Sequence, residues 1–457
     1  MNSVFRKLQR TQLLTVSVLL IISSQAFSQD SHYWNIQYGT KATLLGGAVI
    51  GSVSDLSATY YNPGAISLFN DPKLILSAKV YQYESLSVQE GGGANVDLKY
   101  SSISPSPTFV AFNVNIDSTR RNTLAFSVLT RQSMKFNLST NVNVTTAFPG
   151  APTTSKTSGV SLLQDFDEVW TGASFSRKMS SIIGIGATTY VAYRNQKTSM
   201  EAVVEELQPD TDVASILVYR NLKFYNYRAL IKAGVALNLN PVTLGLTVTT
   251  PSLNVFGSGT FGYNYFLSNP DTVSENVFES NTQYDLKTTY NTSWAIGLGA
   301  AYWGDNFNLH VSTEWYAAVK EFHPMNVEPF VAQSSGEVIQ NQLNQQLKSV
   351  FNAGVGLEYI LNERVTLAGS FITDFSANID SVSSNISLTN WNIYHISAGS
   401  NFKVANAEIT LGLSASFARD QMKQFPDFED PGDLINAIEP TIEVQFLRIK
   451  VLFGFIF

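Results

Sequence analysis

Four stretches alternate apolar with small or polar residues without a break: Trp294–Tyr302, Phe307–Trp315, Phe351–Tyr359 and Ile409–Phe417. A period of two sends successive side chains to opposite faces of a strand. In each stretch one face is apolar with aromatics at an end, and the other is Gly, Ser, Thr or charged. A soluble sandwich also alternates, but its polar face meets bulk water and carries more Lys and Glu than Gly and Ala. Small inward residues, apolar outward residues and terminal aromatics fit a transmembrane barrel better. Charged residues make up 14% of the chain and aromatics 12%, as a wall apolar on one face requires.

Counting such segments predicts an all-β fold, a transmembrane antiparallel barrel of about fourteen strands. They fall near 73–88, 106–116, 122–136, 166–178, 181–196, 216–238, 241–256, 284–303, 306–321, 349–361, 364–376, 389–403, 406–419 and 441–457. The connections alternate in length. Asp117–Arg121, Lys178–Ser181, Asn238–Pro241, Gly304–Asn306, Leu361–Arg364 and Lys403–Asn406 read as tight turns. Between them lie 89–105, 137–165, 197–215, 257–283, 322–348, 377–388 and 420–440. Short turns at one rim and long loops at the other are the pattern of an outer-membrane barrel, with the turns periplasmic. An even strand count puts both termini on that side.

Three loops carry helical signals. Thr198–Glu201 resembles a capping box and opens Met200–Leu207, which stops before Pro209. Ile339, Leu343 and Leu347 fall on one helical face, and Asp430–Asp433 starts a short helix through Ile438.

The ends of the chain agree with an envelope protein. Arg6, Lys7 and Arg10 precede the apolar run Leu13–Ile22, and Ala26 and Ser28 suit the −3 and −1 positions of a cleavage site. Residues 1–28 therefore read as a signal peptide. The apolar run falls short of the roughly 20 residues that span a bilayer. The last strand ends in Leu447, Ile449, Val451, Phe453, Phe455 and Phe457 on one face. A C-terminal aromatic on such a strand resembles the signal read by the barrel-assembly machinery.

The absence of Cys excludes thiol catalysis, disulfides and Cys-based zinc sites. No basic patch points to nucleic acid. The histidines His32, His310, His323 and His395 form no metal-ligand pair. The Gly91–Gly93 run lacks the downstream Lys and Ser/Thr of a phosphate cradle, and no nucleophile elbow precedes a helix. The chain is expected not to be an enzyme and to need no cofactor or metal. A lipase-like reading would require Ser312 or Ser397 to meet a histidine in the lumen.

Alternation assigns Arg131, Arg194, Arg228, Lys232, His310, Glu314, Glu358, His395, Arg448 and Lys450 to the lumen. Charges are costly on a lipid face, so their inward placement is self-consistent. Most are expected to solvate the pore or pair with acidic neighbours. One or two of the cations, among Arg131, Arg194, Arg228, Lys232 and Arg448, are candidates to receive an anionic head group, since a guanidinium grips a carboxylate in bidentate fashion. Loop 257–283 is unusually apolar, with Phe261, Tyr263, Tyr265, Phe266, Leu267 and Phe278. The loop before it adds Met200, Val203, Val204 and Leu207. Exposed apolar patches of this kind signal binding, unless they pack on each other and close the barrel mouth.

Ahead of the first strand, Gly46–Phe69 is small, polar and turn-prone, and contains Gly46, Gly47 and Tyr61-Asn62-Pro63-Gly64-Ala65. Pro63 fixes φ and lacks an N–H, Gly64 permits positive φ, and Asn62 can cap the turn. Asn62–Phe69, followed by Asp71-Pro72 and Leu74–Tyr81, resembles the hatch segment and first strand of the FadL/TodX family of outer-membrane transporters for hydrophobic compounds. That family often has Ala where this chain has Gly64. The resemblance implies a hatch at 29–72 inside a barrel of 73–457, gated at Gly46, Gly47, Asn62, Pro63 and Gly64. It implies a landing groove on the third and fourth extracellular loops, here Met200, Leu207, Phe261, Tyr263, Tyr265 and Phe266. The function it implies is passive uptake of fatty-acid-like or aromatic hydrophobic compounds across a Gram-negative outer membrane. The expected partners are that compound and membrane lipid. The alternative is a barrel of this type holding cargo in a secretion translocon of type IX kind.

Overall fold

The structure is a computed structural model that describes residues 32–69, 74–91, 96–117, 121–146, 154–207, 213–268, 276–379, 391–404, 407–423 and 441–456. The expected signal peptide, the helix at 430–438, Asp71-Pro72 and Phe457 lie outside them. The strands in chain order are β1 (Leu74–Val88), β2 (Leu98–Asn115), β3 (Asn122–Thr146), β4 (Thr154–Lys178), β5 (Ile183–Leu207) and β6 (Val213–Asn238). Next come β7 (Val242–Thr249), β8 (Leu253–Ser268), β9 (Val277–Lys287), β10 (Ala295–Trp303) and β11 (Phe307–Tyr316). A loop contributes the short β12 (Val319–Phe322), β13 (Phe330–Val331), β14 (Val338–Ile339) and β15 (Gln345–Leu347). The wall resumes with β16 (Val350–Asn362), β17 (Val365–Asp374), β18 (Ile393–Val404), β19 (Ala407–Lys423) and β20 (Thr441–Ile456).

Pairing closes the wall. From β1 it runs through β20, β19, β18, β17, β16, β11, β10, β7, β6, β5, β4, β3 and β2 back to β1, every contact antiparallel. This fourteen-membered ring leaves no edge whose backbone groups would go unsatisfied in lipid. The alternation read from the sequence is the register of the wall: Leu298, Phe307, Val311, Phe351, Leu357, Leu411 and Leu413 point outward and are exposed. Their neighbours Ser312, Asn352, Glu358, Thr410 and Ser414 point inward and are buried.

Four of the six tight turns lie where expected, at 179–182, 239–241, 304–306 and 363–364, and those at Asp117–Arg121 and Lys403–Asn406 fall partly outside the described residues. The opposite rim differs. Residues 137–165, 197–215 and 257–283 are mostly strand rather than loop, because β3–β4 and β5–β6 pair almost to their tips, out to Thr146↔Thr154 and Leu207↔Val213. A strand of 25 residues, at about 3.3 Å per residue and a tilt of about 40°, climbs roughly 60 Å, more than twice the apolar band of about 25 Å. The hairpins thus project beyond the membrane.

Met200–Leu207 is a strand, not a helix. Cross-strand pairing overrides its weak helical signal, and Ala202 and Val204 face a buried cluster with Leu86, Val160 and Phe446. Loop 322–348 holds no helix either. Ile339 pairs with Phe330, Leu347 pairs with Val319, and Leu343 is buried between them, so three helix-spaced apolar residues anchor separate pieces.

Two strands are interrupted at one height. Residues 250–252 separate β7 from β8, and residues 288–294 separate β9 from β10. Below the interruption Thr249 pairs with Ala295, and above it Ser258 pairs with Lys287. In between, side chains replace the ladder: Ser252 N–H donates to Thr292 Oγ1 (2.8 Å), and Tyr290 N–H to Asn254 Oδ1 (2.7 Å).

Residues 32–69 lie inside the ring. One helical turn, α1 (Lys41–Leu44), stops where Gly46 and Gly47 take φ of 63° and 80°, a left-handed pair that lets Gly47 N–H return to Ala42 O. A second turn, α2 (Ala58–Tyr61), leads into a 3₁₀ turn at Pro63–Ser67. Pro63 opens that turn, and Asn62 Oδ1 accepts from Gly64 N–H at 3.1 Å. Tyr38, Leu45, Val49, Leu56, Tyr61 and Ile66 form a core with the inward wall residues Ile75, Phe109, Leu129, Trp170 and Tyr190. The cylinder's core is its own N-terminal segment.

Candidate functional site

The N-terminal segment meets the wall backbone to backbone along a seam of glycines. A Cβ at Gly64 would lie 2.6 Å from Gly234 O and 2.8 Å from Gly184 O. One at Gly245 would meet Ile50 O at 2.0 Å, and one at Gly299 would meet Gly51 N at 2.4 Å. Asn62 bonds across the seam, its Nδ2 donating to Ile50 O (2.9 Å) and to Val235 O (3.0 Å). Other strands hold the segment through side chains: Tyr190 Oη donates to Thr59 O (2.7 Å), Ser370 Oγ to Leu44 O (2.8 Å), and Lys450 Nζ to Asn35 O (3.0 Å). Arg448 joins Asn35 Oδ1 to Glu84 on β1. Asn62, Pro63 and Gly64 are therefore at the seam, and Gly46 packs against Ser370 and Ile372.

Every charged residue assigned to the lumen is buried there. Glu168 Oε2 lies 3.2 Å from Arg194 Nη1 and 2.6 Å from Arg228 Nη2. Lys232 pairs with Glu314 at 3.1 Å, and Arg448 with Glu84 at 2.6 Å. The two arginines of the first group also flank Tyr290, at 4.2 and 4.6 Å from its ring centre. Charged pairs in a lumen of low dielectric are held by such mutual contacts, and losing one partner is costly.

Arg131 differs. It is 5% exposed, forms no ion pair among the described residues, and its Nη1 has no hydrogen-bond partner. It lies against the rings of Trp170 (5.5 Å) and Tyr60 (5.6 Å). A bulge in β3 between Thr130 and Gln132 sits at this residue. The extra residue sends both Arg131 and Gln132 inward, where strict alternation would bury one of them. The sequence carries no sign of that bulge.

These residues border a lumenal cavity above the N-terminal segment. Tyr33, Tyr60, Trp170, Tyr290 and Tyr316, with Leu230, Ala295 and Leu347, supply its apolar surface. Tyr33 stacks on Tyr316 at 3.8 Å, and its hydroxyl meets Ser293 Oγ at 3.0 Å. The far side is the interrupted wall itself, Thr249, Thr250 and Asn291–Ser293. Above the charged layer the lumen turns apolar, with Leu138, Phe136, Leu162, Trp391 and Phe446 in one cluster. The lumen is thus layered rather than uniformly polar.

The serines named for a lipase-like site have other partners. Ser312 Oγ accepts from Ile50 N–H and Ser397 donates to Ser414. His310 instead meets Ser52 (2.7 Å) and Glu358 (3.4 Å), and His395 meets Ser416 (2.7 Å) and Asp374 (3.6 Å). Neither histidine borders this cavity. No group of three acidic or histidine side chains among the described residues could hold a metal.

The expected landing residues divide. Leu207 and Phe266 are exposed, with Val213 and Phe278 beside them on the projecting hairpins. Met200, Tyr263 and Tyr265 are half-buried. Phe261 is fully buried with Leu222, Phe224, Met325 and Leu343, beneath Arg220. Alternation along β8 turns it inward, so it is a packing residue and not part of an exposed surface.

No protein-family model matches this sequence, and no curated protein does. Solved structures do. A Pseudomonas aeruginosa FadL homologue aligns with a TM-score of 0.58 at 13% identity, over 94% of this chain and 99% of its own. The Pseudomonas putida toluene transporter TodX aligns at 0.54 with 11% identity, covering 95% and 99%. The CymD monoaromatic hydrocarbon channel aligns at 0.52 with 10% identity, covering 92% and 98%. At such identities the likeness is one of backbone architecture, and nearly the whole of each chain takes part in it: this protein has the fold of the FadL/TodX channels.

Proposed function

We propose that the protein mediates passive, downhill uptake of hydrophobic compounds across the outer membrane of a Gram-negative bacterium. The closed, outwardly apolar barrel calls for such a membrane, and solved proteins of the same fold are described as hydrocarbon channels and toluene transporters. The observation that carries the reading is the lumenal cavity with aromatic walls, floored by the N-terminal segment and bounded on one side by wall without a ladder. Compounds settle on the exposed Leu207, Val213, Phe266 and Phe278, pass the apolar upper lumen and enter the cavity.

The segment 32–69 acts as the hatch that closes the periplasmic end. Its seam with the wall leaves no room for a passage beside Asn62–Gly64. Release then runs sideways, between 250–256 and 288–294. β7 has eight residues and climbs about 20 Å at about 3.3 Å per residue and a tilt of about 40°. The interruption therefore lies toward the outer side of an apolar band of about 25 Å. Leu253, Val255, Phe256 and Trp294 face outward beside it.

Proteoliposomes test the proposal. Labelled toluene and a labelled long-chain fatty acid should enter faster than into empty liposomes, with no energy source. Influx equal to that of empty liposomes, with co-purification of a large translocon from cells, would replace uptake with cargo holding.

A further inference from the structure

Charge is unevenly placed around the cavity. Four cations border or back the cavity, Arg131, Arg194, Arg228 and Lys232, and two carboxylates answer them, Glu168 and Glu314. Both carboxylates are already committed. Glu168 lies between two arginines and accepts from Trp170 Nε1 (2.6 Å), while Glu314 accepts from Trp34 Nε1 (3.0 Å) and Tyr316 Oη (2.5 Å) besides pairing with Lys232. Of these four cations Arg131 alone has no ion pair among the described residues, and it is buried with Nη1 lacking a hydrogen-bond partner. A buried guanidinium with an unpartnered N–H raises the energy of the empty site, and an anion arriving there relieves it.

The surroundings restrict the anion's shape. Trp170 and Tyr60 lie against the guanidinium and hold it in place. Tyr33, Tyr290 and Tyr316 line the same space. The lining also includes the polar Thr249, Thr250 and Asn291–Ser293 and the aliphatic Leu230, Ala295 and Leu347. A compact ring with one charged end would fill the aromatic part.

We propose that the cavity binds a small aromatic carboxylate, its carboxylate on Arg131 and its ring among the tyrosines and Trp170. This rests on the cavity being the seat of the transported compound. A guanidinium accepts a carboxylate through two parallel N–H donors, a geometry that a neutral ring cannot use. Offset and edge-to-face ring contacts favour an aromatic body over an aliphatic one of equal size.

Binding of benzoate, benzyl alcohol and hexanoate to the detergent-solubilised full chain, followed by calorimetry and by intrinsic tryptophan fluorescence, tests the proposal. Benzoate should bind about tenfold or more tightly than either comparator. Arg131→Met should lose that advantage and leave benzyl alcohol unchanged, and Arg131→Lys should recover part of it. Equal affinity for benzoate and benzyl alcohol in the unaltered protein overturns the proposal, whether or not the variants fold. So does benzoate binding that survives Arg131→Met in a barrel that still shows heat-modifiable migration. Toluene influx without benzoate preference removes the anion site and leaves uptake standing. Benzoate preference without any influx supports the site and removes uptake.

Discussion

Gly234→Val is the substitution that most sharply probes how the N-terminal segment is seated. Gly234 lies on β6 opposite the Asn62–Pro63 turn, and a Cβ there would fall 2.2 Å from Asn62 Oδ1 and 3.1 Å from Pro63 Cδ. Ordinary contact needs about 3.5 Å, so the turn must retreat by roughly 1 Å or more. It has nowhere to go, because Gly64 is already in backbone contact with Gly184 and Gly234. Retreat also strains the bonds from Asn62 to Gly64 N, Ile50 O and Val235 O, which span 2.9–3.1 Å. Overpacking costs about 1–3 kcal/mol and a buried polar group left unpaired about 1–3 more, so the N-terminal segment should lose roughly 2–6 kcal/mol of docking energy. The wall keeps its ladders, since Gly234 pairs with Gly186 and Thr247 through backbone alone. In planar bilayers the variant should conduct well above the nearly closed wild type, while its heat-modifiable migration stays that of a folded barrel. Gly369→Ala is the control, because its Cβ would meet nothing closer than Ser397 O at 3.4 Å. Asn62→Ala combined with Gly234→Ala should be milder than the sum of the two, since the first change makes room for the second. A folded Gly234→Val barrel with wild-type conductance would refute the reasoning.

Other expectations follow from particular side chains. Glu168→Gln leaves the Arg194 and Arg228 charges without their shared carboxylate, at a cost of about 3–5 kcal/mol. The temperature at which the folded band is lost on electrophoresis should fall, and an unchanged temperature would count against the pairing. Phe266→Ser with Phe278→Ser should slow influx at low substrate concentration and spare stability, because both rings are exposed. Phe261→Ser should do the reverse and lower stability by about 3–5 kcal/mol, as for other buried aromatics, since Phe261 is fully enclosed. Thermal melts and influx measured on the same preparations separate the two roles.

Much of this architecture is written in local patterns. Alternation gives the facing of each strand, and so the inward placement of Arg131, Arg194, Arg228, Lys232, Glu314 and Arg448. Tight turns announce themselves because few residues can make them, as at Gly304–Asn306. What depends on partners is harder to see. Met200–Leu207 carries a capping-box signal, yet becomes strand because β4 and β6 lie on both sides of it. Phe261 and Phe266 look alike in an apolar run, but the phase of β8 buries one and exposes the other. The β3 bulge leaves no trace in residue types, so Arg131 looks like its fellow cations until the pairing of β3 with β4 is known. The glycine seam is invisible for a similar reason: Gly184, Gly234 and Gly245 read as ordinary small inward residues, and only the nearness of Ile50 and Gly64 makes them indispensable.

The central claim, that hydrophobic compounds cross through the lumenal cavity and leave by the unladdered stretch of wall, is tested most directly by stapling that stretch shut. The chain has no cysteine, so Ser252→Cys with Thr292→Cys, a pair already joined by a 2.8 Å backbone-to-side-chain hydrogen bond, would supply its only thiols. Downhill influx of labelled toluene into proteoliposomes should fall toward that of empty liposomes when the pair is oxidised and return on reduction. Influx that ignores the staple, with the disulfide confirmed by mass spectrometry, would contradict the route.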